Sequence, residues 1–410
     1  MYNLIISLYG LVVRLISPFQ NKARLMIEGH NDIYTKLQAS INPQAKYIWL
    51  HAASLGEFEQ GRPIIENIKT NYPAYKILLT FFSPSGYEVR KNYELADVVC
   101  YLPFDKKKNV KRFLDTANPA IAIFIKYEFW YNYVDQLNKR GIPTYMISAI
   151  FRPNQIFFRW YGKHYQKMLH FYKCICVQDN NSKELLSKIG VTNIEVCGDT
   201  RFDRVIDIKT KAKDLPLAHA FTRRTEEEES LTLVAGSSWP KDEDLFLEYF
   251  NKQNKLKLII APHEINESHL AYIESLIKRP TIRYSQAIVD NINQYDCLII
   301  DSFGLLSSLY RYGQIAYVGG GFGVGIHNIL EAAVYNIPVI FGPNFKKFRE
   351  AHQLIEAGGG YPIHDAESFS VLMDELLEYP EVLRSAGNHA GRYVNENTGV
   401  VDKVMQLLKL

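Results

Sequence analysis

From Tyr47 onward the chain alternates short apolar runs with amphipathic stretches, and this rhythm constrains the fold more than any single motif. The runs Tyr47–His51, Lys76–Phe81, Val98–Leu102, Ala120–Ile125, Thr144–Ile147, Cys174–Val177 and Ile194–Cys197 have strand length. Helix-like segments near 58–70, 84–94, 107–116, 129–140, 156–171 and 181–189 separate them. Parallel neighbours need crossover helices, so this alternation predicts a doubly wound parallel sheet. Polar residues 206–230, with Pro216 and the run Glu226–Glu229, break the pattern and mark an interdomain region. A second alternation then begins with strands at Leu231–Ala235, Leu256–Ile260, Cys297–Ile300, Ile315–Val318 and Val339–Phe341, and residues 381–409 read as helical throughout. The expected fold class is α/β, with two Rossmann-like domains facing each other across a cleft.

A length of 410 residues suits two domains of ordinary size, and 47% hydrophobic with 22% charged residues is a globular composition. The net charge of +3 implies no polyanionic partner, so no nucleic acid is expected. Five cysteines, odd in number and without Cys-x-x-Cys spacing, read as reduced, buried strand residues.

Residues 1–17 are strongly apolar up to Pro18 but carry Arg14 and fall short of the roughly 20 residues that span a bilayer. Asn3, Ser7, Gly10, Arg14 and Ser17 recur at helical spacing, so a wide apolar face covers the remainder. That pattern suits a helix lying in a membrane interface rather than a secretory signal, although a core helix shares the composition. Lys22 and Arg24 follow at once, which puts the body of the protein on the cytoplasmic side.

Two turns carry the candidate chemistry. The first, His51-Ala-Ala-Ser-Leu-Gly-Glu57, joins a buried strand to a helix. Glu57 then sits at a strand's carboxyl end, where open α/β sheets bind ligands, and reads either as a base or as a helix-start carboxylate. His51 reads as a structural histidine, and Glu59 as an exposed first-turn carboxylate favoured by the helix dipole. The second turn, Gly319-Gly-Gly-Phe-Gly-Val-Gly325, leads through His327 into Asn328-Ile-Leu-Glu331. Its glycines permit close backbone approach, and a helix N-terminus after it would offer N–H groups to an anion; packing alone is the other reading. It fits neither G-x-G-x-x-G nor the P-loop pattern. His263 and His269 lack zinc-motif spacing, and no G-x-S-x-G elbow occurs.

Together these blocks resemble the 3-deoxy-D-manno-octulosonic acid (Kdo) transferases, glycosyltransferases of the GT-B fold (family 30) that act on the lipid A precursor. The resemblance runs through His51–Glu57, Tyr127-Glu128-Phe129-Trp130, Gly198-Asp-Thr-Arg-Phe-Asp203, Ala261-Pro262-His263, Asp301-Ser302-Phe303-Gly304 and Val318 to Glu331. It implies inverting transfer of Kdo from CMP-Kdo to lipid IVA in lipopolysaccharide core biosynthesis. It assigns Glu57 as general base, and Glu128 and Arg201 as transition-state stabilisers. Pro262, His263, Phe303, Gly304, Leu305, Gly320, Gly321, Asn328, Ile329, Leu330 and Glu331 would hold the donor, with no metal and no cofactor. The family usually has Arg where His263 stands and Lys where Arg201 stands. A phosphorylated glycolipid acceptor calls for cations, for which Arg62 and Arg152 are the candidates; Arg152 opens the aromatic stretch Phe151–Lys163.

The domains expected on this reading are a membrane-associating helix (1–20), an acceptor-binding domain with the base (21–206), a CMP-sugar-binding domain (207–390) and a C-terminal helix (391–410) with the option of crossing back. The location expected is the cytoplasmic face of the inner membrane. The other readings are a UDP-sugar transferase, a UDP-N-acetylglucosamine 2-epimerase, or a catalytically silent nucleotide-binding scaffold at the membrane.

Overall fold

The computed structural model describes residues 2–223 and 231–410; the Glu226–Glu229 run lies outside them. The chain divides into two compact units, Met1–Arg204 with Thr398–Leu410, and Val205–Asn397.

The first unit holds seven parallel strands: β1 (Lys46–Ala52), β2 (Tyr75–Phe81), β3 (Val98–Tyr101), β4 (Ile121–Ile125), β5 (Thr144–Ala149), β6 (Cys174–Val177) and β7 (Ile194–Val196). They lie in the order β3-β2-β1-β4-β5-β6-β7, so the winding reverses between β1 and β4. Residues Tyr47 to Leu50 are all buried because helices cover both faces. Alternation sorts their side chains: Ile48 and Leu50 join Ile64, Ile65 and Ile68, while Tyr47 and Trp49 join Phe113, Phe124 and Tyr133. Burying each such side chain contributes on the order of 1.5–3 kcal/mol before entropy is charged against it.

Three helices precede β1, α1 (Tyr2–Ile16), α2 (Asn21–Asn31) and α3 (Ile33–Ser40), and α4 (Leu55–Asn71) follows it. The helix Val400–Leu408 returns to this unit, adding Val400, Val404 and Leu408 to the Ile48–Leu50 core. Asp203 caps it, accepting the backbone N–H groups of Gly399 (2.7 Å), Val400 (3.0 Å) and Val401 (3.2 Å).

The second unit holds β8 (Leu231–Ser238), β9 (Leu256–Pro262), β10 (Thr281–Arg283), β11 (Cys297–Ile299), β12 (Ile315–Val318), β13 (Val339–Phe341) and β14 (Gly360–Pro362). Their order is β10-β11-β9-β8-β12-β13-β14, again all parallel, with the reversal between β8 and β12.

Several local expectations change. Strands β10 and β14, three residues each, are too short to register as apolar runs. Residues 156–171 form two 3₁₀ turns, Ile156–Phe158 and Trp160–Gly162, before a seven-residue helix, Lys163–Leu169. The C-terminal stretch is two helices, Pro380–Glu396 and Val400–Leu408, split at Gly399, whose φ of +81° ends helical continuity. All five cysteines are buried and unpaired, as expected.

The helix α1 forms with its apolar face outward: Leu4, Leu8, Leu11, Val12, Leu15 and Ile16 are exposed, and only Val13 is fully buried. It is fastened at its start, where Asp105 accepts from the Tyr2 hydroxyl and Asn3 Oδ1 accepts from Asn132 Nδ2 at 2.8 Å. Among the described residues no single helix is long and apolar enough to cross a membrane; α1 and α2 are bent by 115°.

Candidate functional site

In the first unit the carboxyl ends of β1 and β4 flank the winding reversal, the position where doubly wound sheets bind ligands. β1 delivers Glu57 and β4 delivers Glu128. Ser54 stands at the N-cap position of α4, yet its side chain caps no backbone N–H; its hydroxyl donates to the Glu57 carboxylate instead. The Ser54-x-x-Glu57 spacing therefore does not make a capping box, and Glu57 keeps a half-buried carboxylate at the sheet end.

Glu128 is buried, 9% exposed, and terminates a polar chain through the core. Trp49 Nε1 donates to Thr80 Oγ1 (2.8 Å), which lies 2.8 Å from His51 Nδ1, and His51 Nε2 lies 3.2 Å from Glu128 Oε2. Trp130 Nε1 donates to the same carboxylate oxygen at 2.6 Å. Trp130 Nε1 also lies 3.0 Å from His51 Nε2, so both ring nitrogens of His51 and the Glu128 carboxylate belong to one hydrogen-bonded cluster.

Arg201 opens the helix Arg201–Thr210 and is held from Asp199, whose Oδ2 accepts Arg201 Nε (3.0 Å) and Nη2 (2.8 Å). Burial opposes ionisation of Asp199, but Arg201 outweighs it and holds the carboxyl below its ordinary value. Gln60 of α4 donates to Asp199 Oδ1 at 3.0 Å, tying this turn to the Glu57 helix. Tyr127 joins the groups: burial raises its phenol, and after burial the charges acting on it are Arg152, Glu57, Arg201 and Asp199. Beside it Lys126 adopts a left-handed φ of +68°, strain of the kind found at functional sites.

In the second unit the adjacent ends of β9, β8 and β12 gather Pro262–His263, Trp239 and the Gly-rich turn. Trp239 stacks on His263 (4.7 Å between centroids), and His263 stacks on His327 (4.4 Å). Burial, then His263, pushes His327 down to about 4, so near neutrality its Nε2 accepts the Trp239 indole N–H at 3.3 Å. Gly319 and Gly321 admit no side chain: an added Cβ would lie 2.3 Å from Ser237 O and 2.6 Å from Gly342 Cα. A cavity of about 310 Å³ opens between Trp239, Pro240 and Phe322–Val324. The turn differs from expectation in two respects. Buried Asp242 accepts the Gly320 amide at 2.9 Å, and the helix after the turn, Leu330–Ala333, is only four residues long. Asn328 and Glu331 pair with each other at 2.9 Å.

Residues 29–204 match the family model of 3-deoxy-D-manno-octulosonic-acid transferase (kdotransferase). A 3-deoxy-D-manno-octulosonic acid transferase of Aquifex aeolicus is 28% identical over 345 residues, 82% of this chain and 88% of the relative. One from Haemophilus influenzae is 26% identical over 381 residues, 90% of this chain and 87% of the relative. The chain is a relative of the Kdo transferases. Its architecture recurs in UDP-GlcNAc 2-epimerase from Neisseria meningitidis (TM-score 0.60, 16% identity, 88% and 99% of the two chains covered). It recurs also in MurG of Acinetobacter baumannii (0.55, 11%, 89% and 99%), so the fold is GT-B.

In this Kdo-transferase relative the residues expected in the first half converge on one sheet end, and those of the second half on the other sheet's end. Arg152 is exposed, and Phe303 is 77% exposed on the turn before the helix Leu306–Leu309. Arg62 is engaged internally: its Nε donates to Glu66 at 2.8 Å, and its guanidinium lies over Tyr93. Glu59 is no isolated surface carboxylate; Arg90 meets it at 2.9 Å, and Arg62 and Arg204 at 3.7 Å. Sequence reading missed Thr80, Lys126 and Trp239, and named Tyr127 only as part of a block, without a role. A polar residue inside an apolar strand and a Trp-Pro pair closing another were the available signals.

Proposed function

We propose that the chain transfers Kdo from CMP-Kdo to lipid IVA with inversion, at the cytoplasmic face of the inner membrane. The observation that carries this reading is the placement of Glu57 after β1 and Glu128 after β4, on the two sides of the winding reversal, within the half that matches the Kdo-transferase family model. Glu57 takes the proton from an acceptor sugar hydroxyl. That oxygen bonds to the Kdo anomeric carbon while the bond from this carbon to the CMP phosphate oxygen breaks. Arg201, held by Asp199, and Glu128, held by His51 and Trp130, set the charge around the reacting groups. Pro262, His263, the Phe303–Leu305 turn and the Asn328–Glu331 segment hold the donor. Arg152 meets a lipid phosphate. The exposed apolar face of α1 supports attachment of residues 1–20 to the membrane interface.

The test supplies CMP-Kdo, generated in situ, with lipid IVA, and follows product mass. A gain of one or two Kdo units is expected. Turnover of a UDP-sugar without any Kdo transfer would overturn the reading.

A further inference from the structure

The first unit carries a second concavity, about 350 Å³, between α1, α2 and the residues that follow β2. Tyr9, Val12 and Ile16 of α1, Ala23 and Met26 of α2, and Phe82 form its walls; Gln20 and Lys22 are polar groups on its lining. It is contiguous with the exposed apolar face of α1. Its far wall touches the candidate active site twice. Ser83 N–H donates to Ala53 O at 2.7 Å, four residues before Glu57, and the Phe82 ring lies 4.6 Å from that of Trp130, the donor to Glu128.

We propose that this groove holds one acyl chain of the acceptor glycolipid and thereby registers the acceptor sugar against Glu57. The inference rests on the lipid-acceptor reading above. Three observations favour a chain of methylenes as occupant. The walls are apolar side chains from three separate segments, which make a slot rather than a flat face. Two walls are helices whose backbone groups are already bonded, so no sheet edge is offered to an extended peptide. The slot leads from the outward apolar face of α1 to the residues beside the proposed base, the course an acyl chain takes from a bilayer to a reacting headgroup. Lys22 lies on the lining, suited to the phosphate of such a headgroup.

The experiment measures Kdo transfer in detergent micelles to lipid IVA, to its O-deacylated form and to the fully deacylated phosphorylated disaccharide. KM should rise as chains are removed, and shortening the seated chain should weaken binding about fourfold per methylene, the equivalent of about 0.8 kcal/mol. Ala23→Phe fills the slot, and Val12→Asp charges its exposed wall without touching the core. Both should raise KM for lipid IVA at least tenfold and leave KM for the deacylated disaccharide unchanged. Equal KM for all three acceptors with wild-type protein overturns the groove while leaving the transferase reading intact. Variants that detach from phospholipid vesicles yet keep the wild-type dependence on acylation assign the groove to bulk membrane lipid and overturn it too. Failure to transfer Kdo to any acceptor removes the transferase reading itself.

Discussion

His51 Nε2 lies 3.2 Å from Glu128 Oε2, with the imidazole fully buried on β1, an interior strand of its sheet. A buried imidazole is costly unless both nitrogens are bonded, and here Thr80 takes the second nitrogen. His51 is therefore a positioning residue: fixed by Thr80, it shares with Trp130 the hold on Oε2 of Glu128.

Thr80→Val removes the hydroxyl that holds the His51 ring at Nδ1, while Thr80→Ser retains it. Misplacing a reacting group by even 1 Å costs up to about 10²-fold in rate. Thr80→Val should lower kcat by that order with KM for CMP-Kdo little changed, and Thr80→Ser should restore it. Equal losses in both variants would reduce Thr80 to a packing residue.

Glu57 invites a more direct test. A general base contributes about 10²- to 10⁴-fold. Glu57→Gln keeps a partner for the Ser54 hydroxyl but cannot accept a proton, so Kdo transfer should fall within that range while CMP binding, followed by calorimetry, persists. Near-native rates would return Glu57 to the role of a helix-start carboxylate.

In the second unit His327 gives a pH signature. Its folded value, about 4, lies below the ordinary 6.5. The unfolded chain therefore binds the proton first as pH falls. The stability of this unit is fully present above about pH 6.5 and declines as acidity approaches pH 4. His327→Gln cannot take up that proton, so its unfolding midpoint should lose less between pH 7.5 and 5 than the wild type's. A wild-type midpoint that holds or rises across the same interval would contradict the assignment.

Much of this was legible because parallel sheets buried on both faces write themselves as apolar runs; all seven strands of the first unit and five of the second announce themselves that way. Glu57 was legible through its place after such a run. The fate of its neighbours was not. Glu59 and Arg62 look like free surface charges until Arg90 and Glu66, distant or one turn on, fold against them. Gly320 looks like a phosphate donor until Asp242, 78 residues earlier, takes its amide. Long-range pairing of this kind leaves no local trace. The α1 helix is the reverse case: its composition is plain in sequence, but only the fold shows that Tyr2 and Asn3 fasten it while its apolar side faces out.

Asp203 belongs to a block whose resemblance points to catalysis, yet its carboxylate is occupied by three backbone N–H groups at the start of the helix Val400–Leu408. Loss of such a cap costs about 0.5–2 kcal/mol, and this cap also anchors the final core helix. Asp203→Ala should therefore lower the denaturant midpoint by an amount in that range while leaving kcat within about twofold, since the cost falls on the helix and not on reacting groups. A collapse of kcat at unchanged stability would place Asp203 in the chemistry instead.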